Sequence, residues 1–546
     1  MRTVFTLLLL TAFLLASCIQ SHPEQLPVIS TTPTSTTSLL TYTLTSPAPT
    51  QTATSEPVMP SYTLTPSTPT ETPTADSGFT FQQGMSFPTD RPLIAYEAGS
   101  AQNKTLVLTD PADSSIYEFK FPTTARFATP FLAGLSPDGR YFVYFEGGSL
   151  ESPYGYEMLR ANKPDLVLHV LDLTSGKVIF STPLLSPSYP QDLTSIAEMI
   201  KDDWNFTHFN VPFEDVVTAT QELLLEYIRG VAWSPDSSLL AFASQDPGPS
   251  SDLYFYSPES GTARRMVANP GHVVRTTWAP DSSVLETETS FYSRQAREDT
   301  TFLLSREGLV QGLFISQIWF FHNWIDSTYG FLYGGTDSGD YFEPELISAA
   351  NGTISLFWNG SFADIAFTPD LSTFLVSSVM PSAPAPPNPG LYLGKREDGS
   401  LQILSEIKGW GVDYWGSERF EFAASSIEGG TIGITPDGEV VSIDDGYWNL
   451  AVSPDRPYLA GYYRRLPGYV EGILPGLRIF DGNGLLLESK DDIHVTCVSW
   501  NAASNALAYQ VESRLYLWDA ASGATRLVSD RLNQEECTFN WVSETP

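Results

Sequence analysis

A short phrase recurs along this chain, most fully as Gly230-Val231-Ala232-Trp233-Ser234-Pro235-Asp236-Ser237-Ser238-Leu239-Leu240-Ala241-Phe242-Ala243. It returns as Leu135-Ser136-Pro137-Asp138, Trp278-Ala279-Pro280-Asp281, Phe367-Thr368-Pro369-Asp370 and Val452-Ser453-Pro454-Asp455, with looser copies at Trp324, Trp415 and Trp500. Counting a last marker at Trp541, successive markers stand 37 to 48 residues apart, apart from one gap of 98 between Leu135 and Trp233. A period of this length marks a repeat architecture and limits the fold before any single element is assigned.

The phrase is a corner. Pro fixes the φ wanted at the second position of a type I turn, the flanking Ser or Thr and Asp satisfy turn backbone groups, and Gly or a small polar residue closes it. Short alternating runs of β-branched and aromatic residues on both sides read as strands. The Trp or Phe just before the corner ends the first of these strands, where it is expected to pack between neighbouring sheets.

Each unit reads as four strands. In the third, Val231 to Trp233, Leu239 to Ala243, Leu253 to Tyr256 and Arg264 to Val267 are separated by turns at Pro235-Asp236 and Glu259-Ser260-Gly261. Four-stranded sheets repeated radially make a β-propeller. The first unit, from about Phe79, has three strands but no marker strand, whereas Cys537-Thr538-Phe539-Asn540-Trp541 resembles Cys497-Val498-Ser499-Trp500 and has nothing after it to pair with. A C-terminal strand completing the first sheet closes the ring and removes its exposed edges. The expected fold is therefore all-β, a single closed propeller over residues 78–546, with nine units counted and eight as the alternative. The Trp-Ser-Pro-Asp hairpin and the following Leu-Tyr-Phe-Tyr strand resemble the repeats of TolB-type, WD40-like propellers. TolB itself carries an α/β domain ahead of its propeller, a place taken here by a Ser/Thr/Pro-rich stretch.

That stretch follows an apolar run, Val4 to Ala16, that is short for a membrane span and suits a secretory signal. The run ends Leu15-Ala16-Ser17-Cys18, which resembles a bacterial lipobox; the resemblance implies a signal peptide over 1–17, cleavage before Cys18 and lipid on that cysteine. Residues 18–77 are too poor in apolar side chains to offset ordering entropy and read as a disordered stalk. Together these imply a chain in the cell envelope, lipid-anchored and facing outside the cytoplasm. Export permits oxidation, so Cys497 and Cys537, neighbours across the ring closure, form a possible disulfide.

The gap of 98 residues marks an insertion at about 183–229, where the period-two pattern fails. Phe213 to Ile228 reads as a helix, with a shorter one over Leu193 to Lys201. Between them Trp204, Phe206 and Phe209 offer a possible binding surface on a loop, the part of a rigid scaffold that most often carries function.

No catalytic signature stands out. Gly-x-Ser-x-Gly is absent, as is the sialidase box, since Ser136-Pro137-Asp138-Gly139 is one residue short. The six His stand apart without ligand spacing, and the acidic pairs Asp444-Asp445 and Asp491-Asp492 lack an EF-hand loop and read as solvated turns. No metal or other cofactor is expected. A net charge of −34 argues against nucleic acid and anionic lipid as partners. The expectation is a monomeric binding or scaffolding module for a protein, peptide or glycan, touching membrane through its anchor only. The alternatives are an exported glycosidase-like hydrolase using carboxylates in the central channel, and an envelope-assembly factor.

Overall fold

In the computed structural model the residues described are most of 91–542 together with Thr63–Leu64 and Thr80–Phe81; residues 1–61, 147–165, 464–474, most of 186–229 and several shorter loop stretches lie outside them. The signal peptide and Cys18 fall in that outside part, and so do Trp204, Phe206 and Phe209.

Nine antiparallel sheets follow one another as the nine blades of a propeller. Blade 3 consists of Val231–Trp233, Leu240–Ser244, Asp252–Ser257 and Thr262–Val267, within a residue or two of the strands read from the phrase. The units marked by Trp324 and Trp415 are complete blades. Blade 5 runs from Trp319–Trp324 through Tyr329–Gly335 and Phe342–Ser348 to Ile354–Leu356. Blade 7 runs from Gly411–Tyr414 through Phe422–Ser426 and Gly430–Ile434 to Val440–Asp444. Of the two counts open to the sequence, nine is the one observed.

The ring closes as the orphan strand implied. Phe539–Val542 pairs antiparallel with Leu93–Ser100 and becomes the innermost strand of blade 1, followed outward by Asn103–Thr109 and Ile116–Lys120. Thr80–Phe81 adds a fifth strand at that blade's outer edge, and Thr63–Leu64, inside the expected stalk, does the same on blade 3. Of the insertion, Ala197, Phe213 and Val216 are described, all in helical turns; Ala197 and Val216 are buried in the core cluster joining blades 2 and 3, with Phe213 packed against it.

The phrase builds the corner its residues suggest. Ser234 Oγ donates to Asp236 Oδ1 (2.6 Å) and accepts the Leu239 N–H (2.9 Å), while Asp236 Oδ1 also accepts the Ser238 N–H (3.1 Å). The residue after the Asp, or after Ala503 in blade 9, takes a left-handed backbone, with φ of 59° at Ser237, 63° at Ser282 and 53° at Ser504. Each of these three hydroxyls accepts the backbone N–H of an Asp in the preceding blade's corner, at Asp138, Asp236 and Asp455. The corner is thus also a joint between blades. At blade 2 the same position is Gly139 (φ 70°), where an added Cβ would stand 2.2 Å from Val542 Cγ1 of the closing strand, so only glycine fits.

The marker tryptophans staple blade to blade. Trp233 Nε1 donates to the Gly134 carbonyl, Trp278 to Ala232, Trp324 to Thr277, Trp500 to Ala451 and Trp541 to Ser499, all between 2.9 and 3.1 Å. Every acceptor is the residue just before the marker of the preceding blade. Substituting Trp500→Phe keeps most of the packing and leaves the Ala451 carbonyl unpaired, so chemical denaturation should show a loss of about 1–2 kcal/mol. An unchanged midpoint would mean the indole N–H adds nothing to the joint.

Blade 7 departs from this pattern. Tyr414 pairs with Phe422 as Trp233 pairs with Leu240, so Tyr414, not Trp415, holds the marker place. Trp415 is fully buried, stacked on Phe420 in the core shared with blade 8, and its Nε1 has no hydrogen-bond partner among the described residues. One extra residue in the corner causes the shift: the Trp415 N–H donates to the Glu421 carbonyl six positions on, where Ser234 reaches Leu239 five positions on.

Candidate functional site

Where the phrase decays, polar chemistry gathers at the inner edge of the ring. The first strand of blade 6 is Asp364–Phe367 and that of blade 7 is Gly411–Tyr414. Alternation turns Asp364, with Ala366, toward blade 7. There its Oδ2 accepts the Val412 N–H (2.9 Å) and its Oδ1 the Ile365 N–H (3.0 Å). Two backbone donors therefore fix this carboxylate, one of them across the joint. Asp413, next to Val412, occupies the position from which other blades offer a carbonyl to an indole. Burial pushes its carboxyl up to about 6, with the Asp364 charge adding to the rise and the Tyr414 backbone hydrogen bond and Arg456 opposing it.

Tyr447 lies close enough to feel the Asp364 charge, and Arg456 that of Asp413. Arg456, the left-handed residue of the blade 8 corner (φ 66°), lies over the Tyr414 ring with its guanidinium carbon 4.0 Å from the centroid. It stands where blades 3, 4 and 9 carry a serine, and its Nη1 is buried without a hydrogen-bond partner among the described residues. Tyr447 and Tyr463 meet edge to face at 6.0 Å, and burial raises the Tyr447 hydroxyl, with Tyr463 and Asp364 adding to the effect. Two carboxyls beside Tyr rings can hydrogen-bond a polyhydroxylated or amide-bearing ligand while the rings stack on it.

Asp445, Asp491 and Asp492 are exposed, as solvated turns would be, but Asp444 is half-buried and the two pairs are linked. Asp444 Oδ1 accepts the Gly446 N–H (2.7 Å) and Trp448 Nε1 (2.8 Å), and Arg478 reaches both Asp444 (3.9 Å) and Asp491. The Arg478 guanidinium also lies 4.8 Å from the Trp448 ring centroid. Strand pairing in blade 8 carries Arg478 to Asp491, a contact that linear spacing does not display.

Among the described residues His169 is a histidine with defined partners. Its Nδ1 shares a hydrogen bond with Ser181 Oγ (2.8 Å), its ring stacks on Tyr144 at 4.9 Å, and burial pushes it down to about 4. It is a packed, neutral imidazole. Among the described residues no group of three or more His, Cys, Asp or Glu is placed to hold a metal ion.

Cys497 and Cys537 are bonded, with their Cα atoms 5.6 Å apart. Counted from their tryptophans the two are out of phase, three and four residues before, which on regular strands turns their side chains to opposite faces. A register shift between Val495 and Cys497 and the position of Cys537 ahead of Phe539–Val542 remove the conflict. The bridge ties the inner strand of blade 9 to the closing strand of blade 1.

No family model and no curated protein matches the chain. Among solved structures it is similar to a eukaryotic initiation factor at 11% identity, covering 83% of this chain and 99% of that one with a TM-score of 0.43. It is also similar to the β-propeller domain of the Trilobed protease from Pyrococcus furiosus, at 11% identity over 72% of this chain and 95% of that one with a TM-score of 0.33. TolB from Acinetobacter baumannii is a third, at 12% identity over 74% and 64% with a TM-score of 0.25. The likeness is one of fold. A shared fold does not carry function, which is argued from the residues.

Proposed function

We propose that the chain is a binding module displayed outside the cytoplasm and anchored through lipid on Cys18, its ligand a protein, peptide or glycan. The covalent lock on the ring carries this reading. A disulfide between Cys497 and Cys537 belongs to an oxidising compartment. It holds a scaffold whose loops and inner edge then present fixed geometry, and a preorganised surface loses less entropy on binding. The ligand docks at the inner edge of blades 6 to 8, on Tyr447, and hydrogen-bonds to Asp364 and Asp413.

Glycan and peptide arrays followed by calorimetry test this. Tyr447→Ala should weaken the selected ligand about 10-fold, the loss of one stacked aromatic contact, and Asp413→Asn should remove any change in affinity centred near pH 6. Ligands that bind both variants as they bind the parent chain place the site elsewhere.

A second reading, an exported hydrolase acting on glycans, is favoured by one observation: a carboxyl raised to about 6 beside a second carboxyl fixed by backbone donors. Glycoside hydrolysis needs such a pair, one member protonated to serve as the acid. Turnover of aryl glycosides abolished by Asp413→Asn selects the hydrolase; binding without turnover selects the module.

A further inference from the structure

Glu286 lies on the second strand of blade 4 (Val284–Tyr292), opposite Thr277 on the first strand and Leu303 on the third. Val284 and Leu303 share its face of the sheet and pack in one core with Trp324, Leu332 and Ile347 of blade 5. The Glu286 carboxyl therefore sits in the seam between blades 4 and 5. It is fully buried and neither oxygen has a hydrogen-bond partner among the described residues. Thr277, its neighbour across the strand pair, carries the carbonyl that accepts Trp324 Nε1 at 3.0 Å, the staple of this same seam.

Comparison along the repeat isolates the feature. The residue opposite a staple acceptor is Ala241 in blade 3, Ala460 in blade 8 and Ala508 in blade 9. In blade 4 that position is a glutamate. Its described charged neighbours facing the seam are Arg275 and Glu288 of blade 4, 3.8 Å apart, and from blade 5 Glu345, which pairs with Leu332. A carboxylate without water or donors is strongly disfavoured, whereas the neutral acid is tolerated.

We propose that Glu286 makes the seam between blades 4 and 5 a proton-dependent latch, closed while the carboxyl keeps its proton and loosened when the proton leaves. Burial raises the group from 4.5 to about 8, against the pull of Arg275 and with the help of Glu288. The folded state thus holds a proton that the unfolded chain releases. The support this gives is complete below 4.5 and is withdrawn as pH climbs from 4.5 to about 8. A loosened seam exposes the inner faces of two blades and frees the Trp324 indole.

Hydrogen exchange on the full chain tests the latch, read as protection factors so that the intrinsic pH dependence cancels. Between pH 6 and pH 9 the amides of Thr277, Glu286 and Trp324 should lose protection by 10-fold or more, while those around Ala451, Ala460 and Trp500 stay level. Glu286→Gln should abolish the difference. Glu286→Ala, which installs the residue of blades 3, 8 and 9, repeats the measurement if the glutamine variant does not fold. Level protection at the blade 4–5 seam in the parent chain, or an unaltered pH profile in the variant that folds, overturns the proposal.

Discussion

Replacing Cys497 and Cys537 together by serine lowers the stability of the ring by about 4 kcal/mol. The bond spans a separation of 40 residues, and constraint of the unfolded chain by a loop of that length accounts for that amount. The cost should appear as a lower denaturation midpoint, and the parent chain under reductant should show the same shift. Because the closing strand still pairs with Leu93–Tyr96, the serine variant keeps its circular dichroism spectrum at room temperature. A midpoint unchanged by both treatments would show that strand pairing alone holds the ring.

A chain ending at Leu532 suffers more. It loses the disulfide, the buried side chains of Phe539 and Val542, the Trp541 staple to Ser499 and the inner ladder of blade 1. At about 1.5–3 kcal/mol for each buried side chain, about 1 kcal/mol for the hydrogen bond and the disulfide besides, the loss is on the order of 10 kcal/mol. That is comparable with the whole stability of a folded domain. The expected outcome is an opened ring, seen as an expanded radius in small-angle scattering and exchange of the Leu93–Tyr96 amides. A truncated chain with the parent's radius and midpoint would contradict the velcro role of the last strand.

Much of the architecture was legible because it is local chemistry repeated. Ser234-Pro235-Asp236 specifies a corner through bonds within five residues, and the phrase's spacing counts the blades. The closing strand was legible by subtraction, since blade 1 lacked an inner strand and Phe539 to Trp541 lacked a sheet. What failed was phase. Trp415 looks like a marker, yet an extra residue in its corner hands the marker place to Tyr414 and turns the indole toward blade 8. The cysteines also looked out of phase until a register shift reconciled them. A single inserted residue reverses which face a side chain takes, and composition does not locate such insertions.

The candidate site was nearly invisible in the chain. Asp364 and Asp413 stand far apart in sequence, each an unremarked acid inside an otherwise apolar strand. The signal available was weak: a charged residue on a first strand, where markers and small residues prevail. Glu286 carried a comparable signal on a second strand, a charge in Leu285-Glu286-Thr287-Glu288 at a position where blades 3, 8 and 9 have alanine.

By itself, the sequence determined the all-β class, the blade as the unit, the corner in each blade and the strand that closes the ring, since all of these follow from short-range backbone preferences and a regular period. The tertiary structure alone decided which side chains share a seam. Asp364 meets Val412, Arg478 meets Asp444 and Asp491, and Glu286 loses all contact with water. Burial and proximity across blades depend on register and on neighbours up to hundreds of residues away. Those are the quantities that set the charge state of a carboxyl, and with it the chemistry of the site.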